Sequence, residues 1–257
     1  FGWEGARRMR TQAAVAYRTE PVGSPAHEAA ALAMGCASEL LGCTTEAAVY
    51  LEEAAALGRE RAGVTLLAQG QIARILLEAG STDDAQRRAL DGLGLAVDLH
   101  LDEQTVSILL HAIAAALLAA RDDATGARGH LDRALRLLPR TAAFPWLEIE
   151  ARIVLARAGR TIGDRALSGL LLQEARHTLT RFGDPGVLPG LLAREERALE
   201  RTLGGAGAIR EPLTGAERRV LELLPTHLSL EAVGAVLHIS RNTVKAHLKS
   251  IYRKLGV

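Results

Sequence analysis

Lysine is almost missing from this sequence: Lys245, Lys249 and Lys254 are the only three, and all lie at its end. Aromatic residues make up 3% of the 257 positions, and cysteine occurs only as Cys36 and Cys43. Two cysteines exclude a disulfide framework. Seven apart, they fit one helix face, and two buried thiols in a reducing cytoplasm are the expectation. No apolar run approaches the roughly 18 residues that cross a membrane. The longest, Ile108–Ala120, is closed by Arg121-Asp122-Asp123 and reads as a buried helix. The start, Phe1-Gly2-Trp3-Glu4, has neither an initiator methionine nor a basic n-region. No signal peptide is expected there, and the sequence reads as cut from a longer chain.

The chemistry of catalysis is missing as well. The eight histidines form no HExxH motif and no paired metal-ligand spacing. There is no GxxxxGK[ST] phosphate loop. The acid pairs Asp83-Asp84, Asp122-Asp123 and Glu195-Glu196 are sequence neighbours, which do not share a helix face. The expectation is a non-enzyme with no metal and no cofactor. His111, inside the apolar run, reads as a hydrogen-bonded core or groove histidine rather than a ligand. Gly204-Gly205-Ala206-Gly207 follows a helix rather than a strand and has no lysine, so it reads as linker.

What is present favours helix. Hydrophobic residues are 48% and charged residues 24%, which suits a packed protein. Alanine, leucine, arginine and glutamate dominate, while β-branched residues are few. A small–large–small spacing of four then three recurs at Ala47, Leu51, Ala54; at Ala85, Ala89, Gly92; at Ala127, Leu131, Ala134; and at Ser168, Leu172, Ala175. The copies are 38, 42 and 41 residues apart. Positions three and four apart share a helix face, and small residues there admit a neighbouring backbone. Partner helices are expected over Ala26–Leu41, Gly63–Ala79, Glu103–Ala120 and Ala143–Ala158, with a partial pair in residues 3–20. Ser81 or Thr82 is placed to cap a helix, and Pro139 to end one. Helix pairs at a fixed period make an α-solenoid with a concave groove. Gln71, Arg74 and Gln104 are candidates for its inner face, and a protein or small effector is its expected partner.

The last segment differs from the rest. Residues 212–257 carry seven Lys and Arg against three acids, leaving 24 basic and 27 acidic residues before them. A basic module on a slightly acidic body points to a polyanion as partner of the module. Thr214 and Glu217 have capping-box spacing, with Leu213 placed as a hydrophobic staple. The first helix turns Val220, Leu221, Leu223 and Leu224 inward and ends at Pro225. Ser229 caps a second helix with Val233, Val236 and Leu237 facing the core, and Gly234 sits where helices cross closely. His238-Ile239 form the turn. Ser240 caps a third helix from Arg241 to about Leu255, ended by Gly256. Its inward stripe is Val244, Leu248, Ile251, Tyr252 and Leu255. Its other side carries Arg241, Asn242, Thr243, Lys245, Ala246 and Lys249. The helix N-terminus can receive a phosphate. Thr243 can donate to phosphate or touch a thymine methyl, and Asn242 and Lys245 can reach base edges. Lys249 and Arg253, further along, suit the DNA backbone.

Three resemblances follow. Leu213-Thr214 with Glu217, Val220-Leu221, Leu223-Leu224, Leu228-Ser229, Ile239-Ser240, Thr243-Val244-Lys245, His247-Leu248 and Ile251–Val257 together resemble the LuxR-type (GerE-like) helix-turn-helix. The resemblance implies a third helix that reads the major groove of double-stranded promoter DNA, with Thr243, Lys245 and His247 in contact and Val244 divided between groove and core. Glu231-Ala232-Val233-Gly234 departs from the family's lysine-glutamate-isoleucine-alanine, reversing one charge and losing one glutamate. The family's fourth helix, which implies a homodimer in the longer protein, is not in this sequence. Separately, Ala127–Pro139 resembles the second helix of a tetratricopeptide repeat. An array before such a reader resembles the large MalT-like (LAL) regulators, which implies an ATPase domain upstream. The expected protein is all-α and bacterial: a tetratricopeptide-like solenoid over 1–203, a linker over 204–211 and a truncated LuxR-type domain over 212–257. The competing expectation is an interaction scaffold with a vestigial DNA module.

Overall fold

The computed structural model describes residues 4–207, 214–223, 229–237 and 239–255, with the side chains of 58, 59, 203–207, 218, 222 and 252–255 left outside the description. Thirteen α-helices lie among the described residues, and no strand does. Nine form the array: α1 (Ala6–Thr19), α2 (Pro25–Leu40), α3 (Thr44–Ala55), α4 (Ala62–Glu78), α5 (Thr82–Asp98), α6 (Ile108–Ala120), α7 (Ala124–Leu137), α8 (Pro145–Thr161) and α9 (Arg165–Arg181). Then come α10 (Leu188–Gly207), α11 (Gly215–Leu223), α12 (Leu230–Leu237) and α13 (Arg241–Leu255). The chain divides into two compact units, Phe1–Leu199 and Glu200–Val257. The glycine-rich stretch expected as linker begins inside α10, which continues to Gly207; residues 208–211 lie outside the described ones.

The recurring spacing marks the helix contacts. Ala47, Leu51, Ala54, Ala85, Ala89, Ala127, Leu131, Ala134, Leu172 and Ala175 are all at most 3% exposed, and Ser168 is fully buried. They lie on α3, α5, α7 and α9, each packed on the helix before it. The ends form where their residues dictate. Asp123 and Asp164 accept from the backbone N–H of Gly126 (2.8 Å) and Leu167 (3.1 Å), and Pro145 starts α8. Pro139 sits in a single 3-10 turn after α7. Ser81 holds the cap position of α5, but its side chain makes no capping bond. The sixth helix starts at Ile108 after a short 3-10 turn, later than the expected Glu103.

The two helix layers differ in burial. An outer helix such as α7 buries only Ala127, Leu131, Ala134 and Leu137. The inner helices are enclosed nearly all round: eleven of the thirteen residues of α6 are buried, and thirteen of the seventeen of α8. This corrects the expectation of an open groove. The array curves tightly enough that inner helices two pairs apart meet. Gln71 on α4 donates to Glu150 on α8 at 2.6 Å, and Arg74 reaches Glu150 at 3.3 Å and Glu39 of α2 at 3.2 Å. Glu78 pairs with Arg157 and with Arg194 of α10. Gln71 and Arg74 are therefore interior groups, 1% and 2% exposed, and Gln104 is exposed in the turn before α6. Burial opposes the charge on Arg74, but Glu150 and Glu39 outweigh it and hold its pKa above the ordinary value. The same burial pushes Glu150 up against the pull of Arg74 and Gln71.

The array also closes on its own start. Asp184 accepts from the N–H of Ala6 (2.9 Å), and the N–H of Val187 donates to Leu40 O at 2.8 Å. Gly186, at φ +56°, makes this possible: a Cβ there would lie 1.8 Å from Leu40 O. Outside, ion pairs join successive outer helices, with Arg10 on Glu46 (2.9 Å) and Arg88 on Glu52. Such exposed pairs contribute little each.

The two cysteines do not share a helix. Cys36 is buried in α2, while Cys43 stands just before α3, makes no capping bond and is half-buried, because the chain turns at Gly42 between them. Burial pushes the Cys36 thiol far up, so it stays protonated. Of the two places expected for His111, core or groove, it takes the core, hydrogen-bonded on both nitrogens: its Nε2 lies 2.9 Å from Asp102 O and its Nδ1 3.0 Å from Nδ1 of His130. With Nε2 donating to the carbonyl, Nδ1 of neutral His111 accepts from His130. Among the described residues no helix is long and apolar enough to cross a membrane.

Two outcomes follow. Replacing Arg74 by Met strands Glu39 and Glu150 and should destabilise the array by about 3–5 kcal/mol in denaturant unfolding, with part recovered when Glu150→Gln is added. Burial, with His111 next in effect, lowers the His130 pKa to about 4 from an ordinary 6.5. The unfolded chain therefore binds the proton more readily between those values, and stability is lost as pH falls from about 6.5 toward 4. Thermal melts across that range should decline less steeply in His130→Gln than in the wild type.

Candidate nucleic-acid interface

The C-terminal helices pack on a small core. Val220 of α11, Val233 of α12 and Val244 and Ile251 of α13 are at most 1% exposed, and Leu221, Leu223, Leu230, Leu237, Ile239 and Leu248 pack against them. The capping box at the start of α11 forms in both directions. Glu217 N–H donates to Thr214 Oγ1 at 3.2 Å, and Thr214 N–H donates to Glu217 Oε2 at 2.7 Å. Ser229 caps α12 by accepting from Ala232 N–H at 3.2 Å. Ser240 caps α13 by accepting from Thr243 N–H at 3.1 Å. The expected staple residue Leu213, with Leu224, Pro225, His238 and Gly256, lies outside the described residues. So do the side chains of Tyr252 and Leu255.

The turn between α12 and α13 is tight. Ile239 N–H donates to Gly234 O at 2.9 Å, and a Cβ on Gly234 would lie 2.7 Å from Ile239 O. Gly234 is the small residue the crossing needs. Ile239 enters the core behind the turn. Val236, expected inward, is 55% exposed. The inward stripe of α12 is Leu230, Val233 and Leu237, and one step of about 100° from Leu237 carries Val236 off it.

This scaffold sorts the expected contact residues of α13. Arg241, Asn242, Thr243, Lys245 and Lys249 are exposed on the helix and His247 is half-buried. Val244 is fully buried and belongs to the core, because α11 and α12 cover the stripe it shares with Leu248 and Ile251. The side chain of Arg253 is outside the description. Thr243 is less free than its exposure suggests, since its Oγ1 lies 2.8 Å from Ser240 Oγ. One partner was not foreseen: Glu231, in the first turn of α12, pairs with Arg241 Nε at 2.7 Å. Residue order shows an acid near the start of one helix and a cation at the start of the next, but only the packing of α12 on α13 brings the two together.

Residues 211–257 match the profile of the family described as bacterial regulatory proteins, luxR family (GerE). The segment is a LuxR/GerE-type helix-turn-helix domain. No curated protein and no solved structure matches the chain. In the LuxR/GerE-type domain, α12 and α13 are the two helices about the turn, and α13 is the one that carries the basic face. Glu231 stands in the first turn of α12 and pairs there with a cation of α13.

Adding a methyl group where Ile239 O approaches should loosen this domain. Gly234→Ala is expected to speed amide hydrogen exchange at Val244 and Ile251 while leaving the exchange of α6 and α8 unchanged.

Proposed function

We propose that the protein is a transcription regulator whose LuxR/GerE-type domain reads promoter DNA and whose helical array receives a signal or a protein partner. The observation that carries the reading is the exposed set Asn242, Thr243, Lys245 and Lys249, presented by one capped helix with its opposite stripe sunk in the core. A rigid helix with polar and basic residues on its first turns can enter the major groove. Lys245 and Asn242 are assigned to base edges, Thr243 and His247 to the groove, and Lys249 and Arg253 to phosphates. The array lies outside that chemistry, since residues 1–211 carry an acidic excess. We extend the same reading to a tetratricopeptide-like array, a MalT-like layout with an ATPase domain and a homodimer.

A second reading, a scaffold with a weak DNA module, draws on Glu231, whose carboxylate lies on the same face as the cations. Binding to promoter fragments at several salt concentrations separates the two. The regulator reading expects a preference over random duplex and an affinity that falls as salt rises. Lys245→Ala should cost about 1–3 kcal/mol on the preferred site and relax its preference. Lys249→Ala should weaken all duplexes alike and reduce the salt slope by about 1. No preference over random duplex, with partners captured in the absence of DNA, favours the scaffold.

A further inference from the structure

The first turn of α13 is an unfavourable place for a cation. Unpaired N–H groups give a helix N-terminus partial positive charge, which attracts anions and repels Arg or Lys. Arg241 is the first residue of α13, directly after the Ser240 cap. In this chain the opposition is answered from the neighbouring helix. Glu231, in the first turn of α12, holds Arg241 Nε at 2.7 Å. Its carboxylate is suited to that place. Its own backbone N–H stabilises the charged form most, followed by Arg241, the Ser229 hydroxyl and Lys245, and they hold its pKa below the ordinary carboxylate value. The pair is open to solvent, with each side chain more than half exposed. It therefore adds little to folding, and its consequence lies in what it does to the face.

We propose that Glu231 is a positioning residue for DNA selection, a proposal that rests on the DNA-binding reading above: it ties down Arg241 so that the guanidinium does not act as a free phosphate clamp. Phosphate contacts add affinity without sequence information. An Arg at the entry of the reading helix is placed for such a contact, because phosphates approach helix N-termini. A carboxylate already bound to it has to be displaced before the contact forms, and it repels the incoming phosphate. Random duplex, held by phosphate contacts, loses most. A preferred site, held also by the base-edge contacts of Asn242 and Lys245, loses a smaller share. Glu231 thus trades affinity for selectivity.

The test is a double-mutant cycle in the whole chain. The wild type, Glu231→Gln, Arg241→Gln and the double variant are titrated with random-sequence duplex and with the best promoter fragment. Circular dichroism melts check that all four fold alike. Glu231→Gln should steepen the dependence of log K on log salt for random duplex by about one phosphate contact. That is an extra three- to fourfold loss of affinity over a fourfold rise in salt. Its preference for the promoter fragment should shrink. Arg241→Gln alone should change the slope little, and in the double variant the gain should disappear. An unchanged slope in Glu231→Gln, while the wild type binds with salt dependence, overturns this inference and leaves the function standing. A gain that persists in the double variant also overturns it, because the effect is then net charge and not Arg241. Absence of salt-dependent binding in all four proteins overturns the DNA-binding reading and this inference together. Binding by Glu231→Gln but not by the wild type supports both.

Discussion

Three inner helices meet at one buried guanidinium, and a guanidinium is tolerated in an apolar interior only where its charge is answered on the spot. Arg74 is answered from α2 by Glu39 and from α8 by Glu150, and Gln71 supplies a further donor to Glu150. Those partners lie 35 and 76 residues from Arg74 in sequence, so the cluster exists only when the array is tightly curved. The curvature in turn leaves the inner helices no solvent face. That is why α6 and α8 are apolar or paired nearly all round, while α7 is amphipathic. The close approach of Gly186 to Leu40 O closes the same curve at its ends.

The C-terminal unit is built on a different balance. Among the described residues its enclosed apolar side chains are Val220, Val233, Val244 and Ile251. A unit this short has little interior to bury, so helix caps weigh more. The reciprocal Thr214–Glu217 bonds and the Ser229 and Ser240 caps satisfy backbone donors that would otherwise be orphaned. The caps also orient the basic face. Ser240 sets where α13 begins, and that start decides which residues fall on the stripe of Val244 and which on the face of Lys245. Arg241 and Glu231 show the same economy, since two helix starts brought together by Gly234 put a cation and an anion within reach.

Much of this was legible from residue order. The small–large–small spacing marked the outer helices because it is a local property of one helix face, and each of its residues is buried. The capping box and the serine caps were legible for the same reason: they act over three residues. The filled inner layer that makes Gln71 and Arg74 interior and leaves Gln104 in an exposed turn, the separate helices of Cys36 and Cys43 and the outward Val236 were not. Each depends on how far the array curves or where a helix starts, and a shift of one residue rotates a side chain by about 100°. Val244 shows both sides at once. Periodicity placed it inward, family likeness divided it, and full burial settles it in the core.

The sequence by itself determined the helical content, the repeat spacing, the caps and the basic character of the last helix, since all of these are set by contacts within one or two turns. Tertiary structure alone decided that the inner layer is filled, that Arg74 is interior and that Glu231 meets Arg241. Those pairings join residues whose separation in the chain carries no signal of their contact, and only the packing of helices against one another brings them within hydrogen-bond reach.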